Sequence, residues 1–374
     1  MTDDKNNLLC GYLDGLVKRQ NLNFLDVVAN KDGKKVFGYG GGFDKSDKKR
    51  YFVFSCTKPI VSACILQLVE EGKLDVETPV SKYLPAFSEA FIIENGVRKK
   101  ADEMKIKHLL TMTSGLSYDY DTEPFREILA ATDGKASTAE ICEAFVKTPL
   151  LFNPGERFYY GLSFDVLGVV IEKVTGTPLD EYVKKTIFEP LGMFDSGFTR
   201  GDGEAENLKA LYAKTADGIT VKVKNANELV FSPYYLSGGA GVVSTTEDYM
   251  KFADCLTNGG KAANGYRLLK ESSVKDMAKN HVGEISVNNG FTCVQGDDYA
   301  YGYGVRTRIK PLNFGLPVGE FGWDGAAGSY FMCDLKNRVT VYIGMCLMNW
   351  PATFKGEHLK IVKTIYDSLE IQAI

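Results

Sequence analysis

A chain of 374 residues, 44% hydrophobic and 25% charged, sits in the ordinary globular range and has ample apolar material for a core. Its net charge of -4 leaves no electrostatic reason to expect nucleic acid or an anionic membrane as partner. No apolar run reaches the roughly 18 residues that a bilayer crossing needs.

The N-terminus, MTDDKNNLLCGYLDGLVKRQ, lacks a basic start followed by an apolar core and a small-residue cleavage site, so the expected location is cytoplasmic. The cysteines at 10, 56, 64, 142, 255, 293, 333 and 346 are dispersed without a C-x-x-C pair, which predicts reduced and mainly buried thiols. His108, His281 and His358 are far apart, so a metal site is not expected. Residues 24–54 are β-rich, with Asp32-Gly33 as a hairpin turn. Ser55 to Gly72 then reads as a largely apolar helix with a glycine stop. Residues 76–210 hold the helical segments TAEICEAFVK, SFDVLGVVIEKVTG and PLDEYVKKTIFEPLG between Pro/Gly-rich turns, with few strands. Strands return in GITVKV, and a glycine-rich turn at 238–241 leads into another helix. The final third carries GYGVRTRI, SYFMCDLKN and RVTVYIGMCLMN as strands, then a helix from Glu357 to Leu369.

Strands at both ends with helices between predict an α+β fold: an antiparallel sheet built from both termini, flanked by helices, with a mainly helical insertion. Residues 1–75 and 215–374 would form the sheet domain, and 76–214 the inserted one.

Ser-x-x-Lys occurs at Ser46/Lys49, Ser55/Lys58 and Ser272/Lys275. For an arbitrary match the bland reading is a serine cap with a solvated lysine, and the surroundings of the first and third support it. Ser55 differs because an apolar strand precedes it and an apolar helix follows. That junction puts its hydroxyl at the positive end of a helix, with the Lys58 amine one turn away on the same face. A lysine embedded there would have its charged form disfavoured and could serve as a base. There is no G-x-S-x-G elbow, so an α/β-hydrolase reading has no nucleophile, and with no P-loop and no complete G-x-G-x-x-G after a strand no nucleotide cofactor is expected.

The segment FSCTKPIVSACILQLVEEGKLDVETPVSKYLPAF resembles the nucleophile helix of the serine β-lactamase and penicillin-recognising superfamily. It is most similar to class C-like members and family VIII carboxylesterases. IKHLLTMTSGL, NPGERFYYGLSFDVLGVVIEKVTG, EPLGM, SGGAGVVSTTEDYMKFADCLTNGG and FGWDGAAGSYFMCD extend the resemblance in family order over roughly residues 20–350. It implies Ser55 as nucleophile, Lys58 as its partner and Tyr160 as the catalytic tyrosine. Trp323, Asp324 and Gly325 then occupy the third motif, and Ala326 shares an oxyanion hole with the N–H of Ser55. His108 follows the family's helix-start pattern as a structural residue. Tyr118, in SYDYDTEP, and Tyr235, with its neighbour Tyr234, are candidate substrate contacts.

Lys and Tyr have similar reference pKa values, about 10.4 and 10, so a close pair can share a proton and titrate as a unit. The third motif is Trp-Asp-Gly where β-lactamases usually carry Lys-Thr-Gly, and an acid there should repel a substrate carboxylate. The expected activity is therefore hydrolysis of small esters of fairly apolar acids through a Ser55 acyl-enzyme, without cofactor. A D-amino-acid peptidase or amidase, a weak β-lactamase, an acyltransferase and a non-catalytic binding protein are the alternatives.

Overall fold

The computed structural model describes residues 3–199, 208–287, 298–311 and 316–371. An N-terminal helix, α1 (Asp3–Gln20), precedes β1 (Leu25–Lys31) and β2 (Lys34–Gly41). Asp32 and Gly33 join the two strands with φ of 53° and 70°, the left-handed pair that a tight hairpin with matching twist demands. After α2 (Thr57–Glu70) and α3 (Ser163–Thr175) comes α4 (Thr246–Thr257). The chain closes with β3 (Tyr299–Tyr301), β4 (Arg306–Arg308), β5 (Phe321–Asp324), β6 (Tyr330–Asp334), β7 (Val339–Met345) and α5 (His358–Ser368).

These strands form a seven-stranded sheet in the order β3-β4-β5-β6-β7-β1-β2. Its pairings are antiparallel, and the N-terminal hairpin docks on the C-terminal meander through Leu25↔Met345 to Lys31↔Val339. The sheet built from both chain ends is thus as expected. Residue alternation sends its two faces into different cores. Phe321, Trp323, Phe331 and Cys333 join the core that contains α2 and α3. Tyr330, Met332, Val341 and Ile343 instead pack with Leu9, Leu13 and Leu16 of α1 and Ile361 and Ile365 of α5. With both faces covered, every residue of β7 is buried, and its sequence reads as a continuous apolar run.

Two elements differ from the sequence reading. Helix α1 was not anticipated, because only Leu9, Leu13 and Leu16 mark its apolar stripe in a polar segment. A hairpin of Phe91–Glu94 and Val97–Lys100 lies inside the stretch read as helical, and Asn95 and Gly96 turn it with positive φ. Cys10 is half-buried, and the thiols at 56, 64, 142, 255, 333 and 346 are buried and free; Cys293 lies outside the described residues. No helix among the described residues is long and apolar enough to cross a membrane.

Candidate active site

Tyr51–Phe52 is a short strand paired with Val243–Ser244, and Phe54–Cys56 makes a single tight turn before α2 begins. Phe54, a buried aromatic residue, sits at φ 45°, in a region that costs a bulky side chain energy. The strain falls one residue before Ser55, where a sharp strand-to-helix turn presents the hydroxyl. Thr57 pins the turn: its Oγ1 donates to the Phe54 carbonyl at 2.7 Å and accepts the Val242 N–H at 3.0 Å. Helix α2 is buried on all sides from Thr57 to Leu66, between the sheet and α3, which explains its largely apolar composition.

Lys58 has no exposed surface. Its Nζ donates to Ser55 Oγ at 3.1 Å and to the Gly239 carbonyl at 2.7 Å. The same Nζ lies 4.7 Å from the centre of the Tyr160 ring. The structure therefore brings Ser55, Lys58 and Tyr160 together, and a solvated-lysine reading of Lys58 does not describe it. Burial lowers its pKa from 10.5 to about 7, opposed by the charge of Asp165.

Asp165, on α3, lies within SFDVLGVVIEKVTG, a segment the sequence marks only as helical. It is buried and accepts the Ser237 hydroxyl at 2.7 Å, and burial raises its pKa above the usual carboxylate value. A Cβ on Gly239 would stand 2.9 Å from Asp165 Oδ2 and 3.4 Å from Lys58 Nζ. One on Gly238 would meet the Phe164 carbonyl at 2.2 Å. The glycines at 238 and 239, read from sequence as a tight turn, are required by close approach of α3 and the lysine. An acid one turn inside an apolar helix was the available signal for Asp165.

Trp323 is 2% exposed, and its Nε1 donates to Tyr160 Oη at 3.1 Å. Its ring faces the Tyr160 ring at 5.5 Å. Tyr118 approaches Tyr160 edge-on at 5.7 Å, and Tyr120 continues the row to Phe231 at 4.9 Å. These half-buried rings put an apolar wall beside Ser55 and Lys58. Gly325 follows β5, and a Cβ there would lie 2.2 Å from the Val53 carbonyl, so the third-motif backbone is pressed against the nucleophile turn. Ala326 is exposed at the next position.

Two sequence expectations need correction. Asp324 was read as a substrate-facing acid, but adjacent strand residues point to opposite faces. It lies on the side away from Trp323, where its Oδ2 meets Arg306 Nη1 at 3.2 Å and its Oδ1 is 3.3 Å from His358 Nδ1. Tyr235 was a candidate substrate contact, yet it has no exposed surface and packs on Phe231 at 4.9 Å, whereas Tyr234 is 58% exposed. His108 accepts the Lys105 N–H on Nδ1 at 3.2 Å, a helix-start contact.

Residues 12–360 match the family described as Beta-lactamase. Esterase EstB of Burkholderia gladioli is 30% identical over 311 residues, covering 77% of this chain and 75% of EstB. Among solved structures, the chain superposes on EstCE1, described as a hydrolase with promiscuous acyltransferase activity, with TM-score 0.79 and 22% identity over 97% of this chain and 99% of that one. The simvastatin synthase LovD of Aspergillus terreus gives TM-score 0.80 at 20% identity, over 99% and 100% of the two chains. With the fold, the ordered motifs and the match over most of its length in agreement, the chain belongs to the β-lactamase family and is a serine hydrolase.

Proposed function

We propose that the protein hydrolyses esters of small, fairly apolar carboxylic acids through an acyl-enzyme on Ser55. The observation that carries this reading is the 3.1 Å approach of Ser55 Oγ to a fully buried Lys58 whose pKa is brought down to about 7. At that value a substantial fraction of the amine is neutral at physiological pH and can accept the serine proton. Tyr160, over whose ring the same amine sits, is the second member of the proton relay. The serine oxygen attacks the ester carbonyl as its proton passes to the Lys58/Tyr160 pair, and the carbonyl oxygen becomes an oxyanion. The N–H groups of Ser55 and Ala326 hold that charge; such donors are worth roughly 2.7–4 kcal/mol each. Collapse breaks the ester C–O bond, and the relay returns the proton to the departing alcohol. Water then repeats the sequence on the acyl-enzyme and releases the acid.

Tyr118, with the ring row behind it, contacts the apolar part of the substrate, and Gly325 lets the third-motif backbone lie alongside it. Trp323 acts mainly through the hydroxyl of Tyr160. Esters are preferred to β-lactams because Trp323 supplies no cation for a β-lactam carboxylate, and Asp324, directed away from this face, does not contribute repulsion. The likeness to EstCE1, described as having promiscuous acyltransferase activity, favours acyl transfer to an alcohol as a second outcome for the same intermediate.

A fluorophosphonate probe, followed by peptide mapping, tests the reading: the adduct is expected on Ser55 and lost in Ser55→Ala. Labelling that survives the substitution would overturn the mechanism, and a binding protein would not label. Product analysis of p-nitrophenyl ester turnover with added alcohols separates hydrolysis from transfer. Turnover of a chromogenic cephalosporin as efficient as that of the ester would remove the substrate preference.

A further inference from the structure

The sheet face opposite Ser55 carries a buried charged cluster that ester hydrolysis does not use. Arg306 and Arg308 on β4 are 1% and 0% exposed, and Glu320, just before β5, is 0% exposed. Arg308 pairs with Glu320 at 3.1 Å, and Arg306 pairs with Asp324 at 3.2 Å while donating to the Phe331 carbonyl at 3.2 Å. The Arg306 guanidinium also lies 4.4 Å from the Tyr330 ring. His358, at the start of α5, reaches two points of one backbone segment. Its Nδ1 is 3.3 Å from Asp324, and its Nε2 is 3.0 Å from the Gly328 carbonyl and 3.3 Å from Thr353 Oγ1. A carbonyl can only accept, so Nε2 is the donor to Gly328 and orients the ring from that side, whereas the 3.3 Å approach of Nδ1 to Asp324 Oδ1 is not a hydrogen bond.

Asp324 and Gly328 bracket the turn that follows β5. Within it Gly325 N–H donates to the Ser329 carbonyl at 2.7 Å, and Gly328 N–H donates to the Gly325 carbonyl at 2.8 Å. Ala327 accepts the Leu347 N–H at 3.0 Å. Ala326 is the exposed residue at the tip, on the side of the nucleophile turn that Gly325 touches. A structural core would be served at least as well by apolar residues, since buried ion pairs recover little net stability. What the cluster supplies here is directional restraint at both ends of the turn: Arg306 holds Asp324, and the His358 ring holds the Gly328 carbonyl.

We infer that Asp324, locked by Arg306, and His358 are positioning residues: acting from the far face of the sheet, they hold the 325–328 turn so that the Ala326 N–H meets the oxyanion. This rests on the oxyanion-hole reading above. Displacing a reacting or stabilising group by about 1 Å costs on the order of a hundredfold. Loosening one end of the turn is therefore expected to lower kcat by roughly ten- to a hundredfold with little change in KM.

The test compares an aryl ester with its thionoester, whose sulfur accepts N–H hydrogen bonds poorly and does not fit an oxygen-sized hole. Wild-type enzyme should strongly prefer the ester. Without that preference the oxyanion-hole reading itself fails, before any variant is made. In Asp324→Asn and His358→Gln the kcat for the ester should fall and the ester-to-thionoester ratio should shrink, while fluorophosphonate still titrates every folded molecule. Arg306→Met/Asp324→Leu removes both charges without leaving either unpaired, which protects folding and gives the same readout if a single variant does not fold. A folded double variant with wild-type kcat overturns the inference. So does a loss of kcat at an unchanged ratio, because a general structural defect would slow both substrates alike.

Discussion

In the proposed mechanism Lys58 is the residue on which the chemistry turns, and its protonation gives two signed expectations. That mechanism has neutral Lys58 accept the serine proton, so kcat/KM should rise with pH through an ionisation near the value of about 7 set by burial. Asp165 opposes that shift by favouring the ammonium, so Asp165→Asn should move the acidic limb of the profile to lower pH. A limb that stays or moves upward would show that Asp165 does not act on Lys58. Linkage gives the second expectation. Between about 7 and 10.5 the folded lysine holds fewer protons than the unfolded one, so this group makes the fold more stable as pH rises through that window. The rise of Tm with pH should accordingly be shallower in Lys58→Met than in wild type. Tyr159 and Tyr160 offer another contrast at this scale, because Tyr160 has the Lys58 amine over its ring and the Trp323 N–H on its hydroxyl. Proton transfer by a positioned group is worth roughly 100- to 10,000-fold, so Tyr160→Phe should lose at least about a hundredfold in kcat and Tyr159→Phe less than about tenfold. Steady-state kinetics giving the reverse order would move the role to Tyr159.

At the scale of elements, the site exists because backbone segments from distant parts of the chain come closer than side chains would permit. The turn after β5 touches the segment before Ser55 at Gly325, and the 237–241 segment touches α3 and Lys58 at Gly238 and Gly239. A methyl at Gly325 would fall 2.2 Å from the Val53 carbonyl, a backbone atom that cannot rotate away. Gly325→Ala is expected to cost about 1–3 kcal/mol of stability and to lower kcat by separating Ala326 from Ser55. Calorimetry and kinetics that match wild type would mean the two segments have room to part. Alternation along β5 belongs to this scale too. One residue step separates Trp323, which holds the Tyr160 hydroxyl, from Asp324, which faces α5.

Across the whole molecule, the sheet separates chemistry from support. Ser55, Lys58 and Tyr160 lie with the core on one face, whereas α1 and α5 close the other with Leu9, Leu13, Leu16, Ile361 and Ile365. Leu13 is fully buried there, and Leu13→Ala should cost about 2–5 kcal/mol, lowering Tm markedly. Because it touches no part of the site, kcat per titrated active site should remain at the wild-type level. A large fall in kcat at a temperature where the variant is folded would mean that packing on this face reaches the nucleophile directly.

The antiparallel sheet drawn from both chain ends was legible in the sequence, since alternating and continuous apolar runs report which residues must leave water. So was the Ser55/Lys58 pair, because an apolar strand, a serine and a largely apolar helix occur in immediate succession. Helix α1 was not, as a three-leucine stripe in a polar segment acquires meaning only once the sheet offers a face to cover. The 91–100 hairpin escaped for a related reason: its second strand is exposed throughout and carries no burial pattern. The sequence could name Trp323-Asp324-Gly325 and Tyr235 but not the direction of their side chains. Asp324 became a buried ion-pair partner, and Tyr235 a core ring, only through packing against α5 and Phe231. Local composition determines which residues seek burial or a helix end; the lowered pKa of Lys58, the nearness of Asp165 and the face that Asp324 occupies arise from contacts between segments far apart in the chain, and only the tertiary structure decides those.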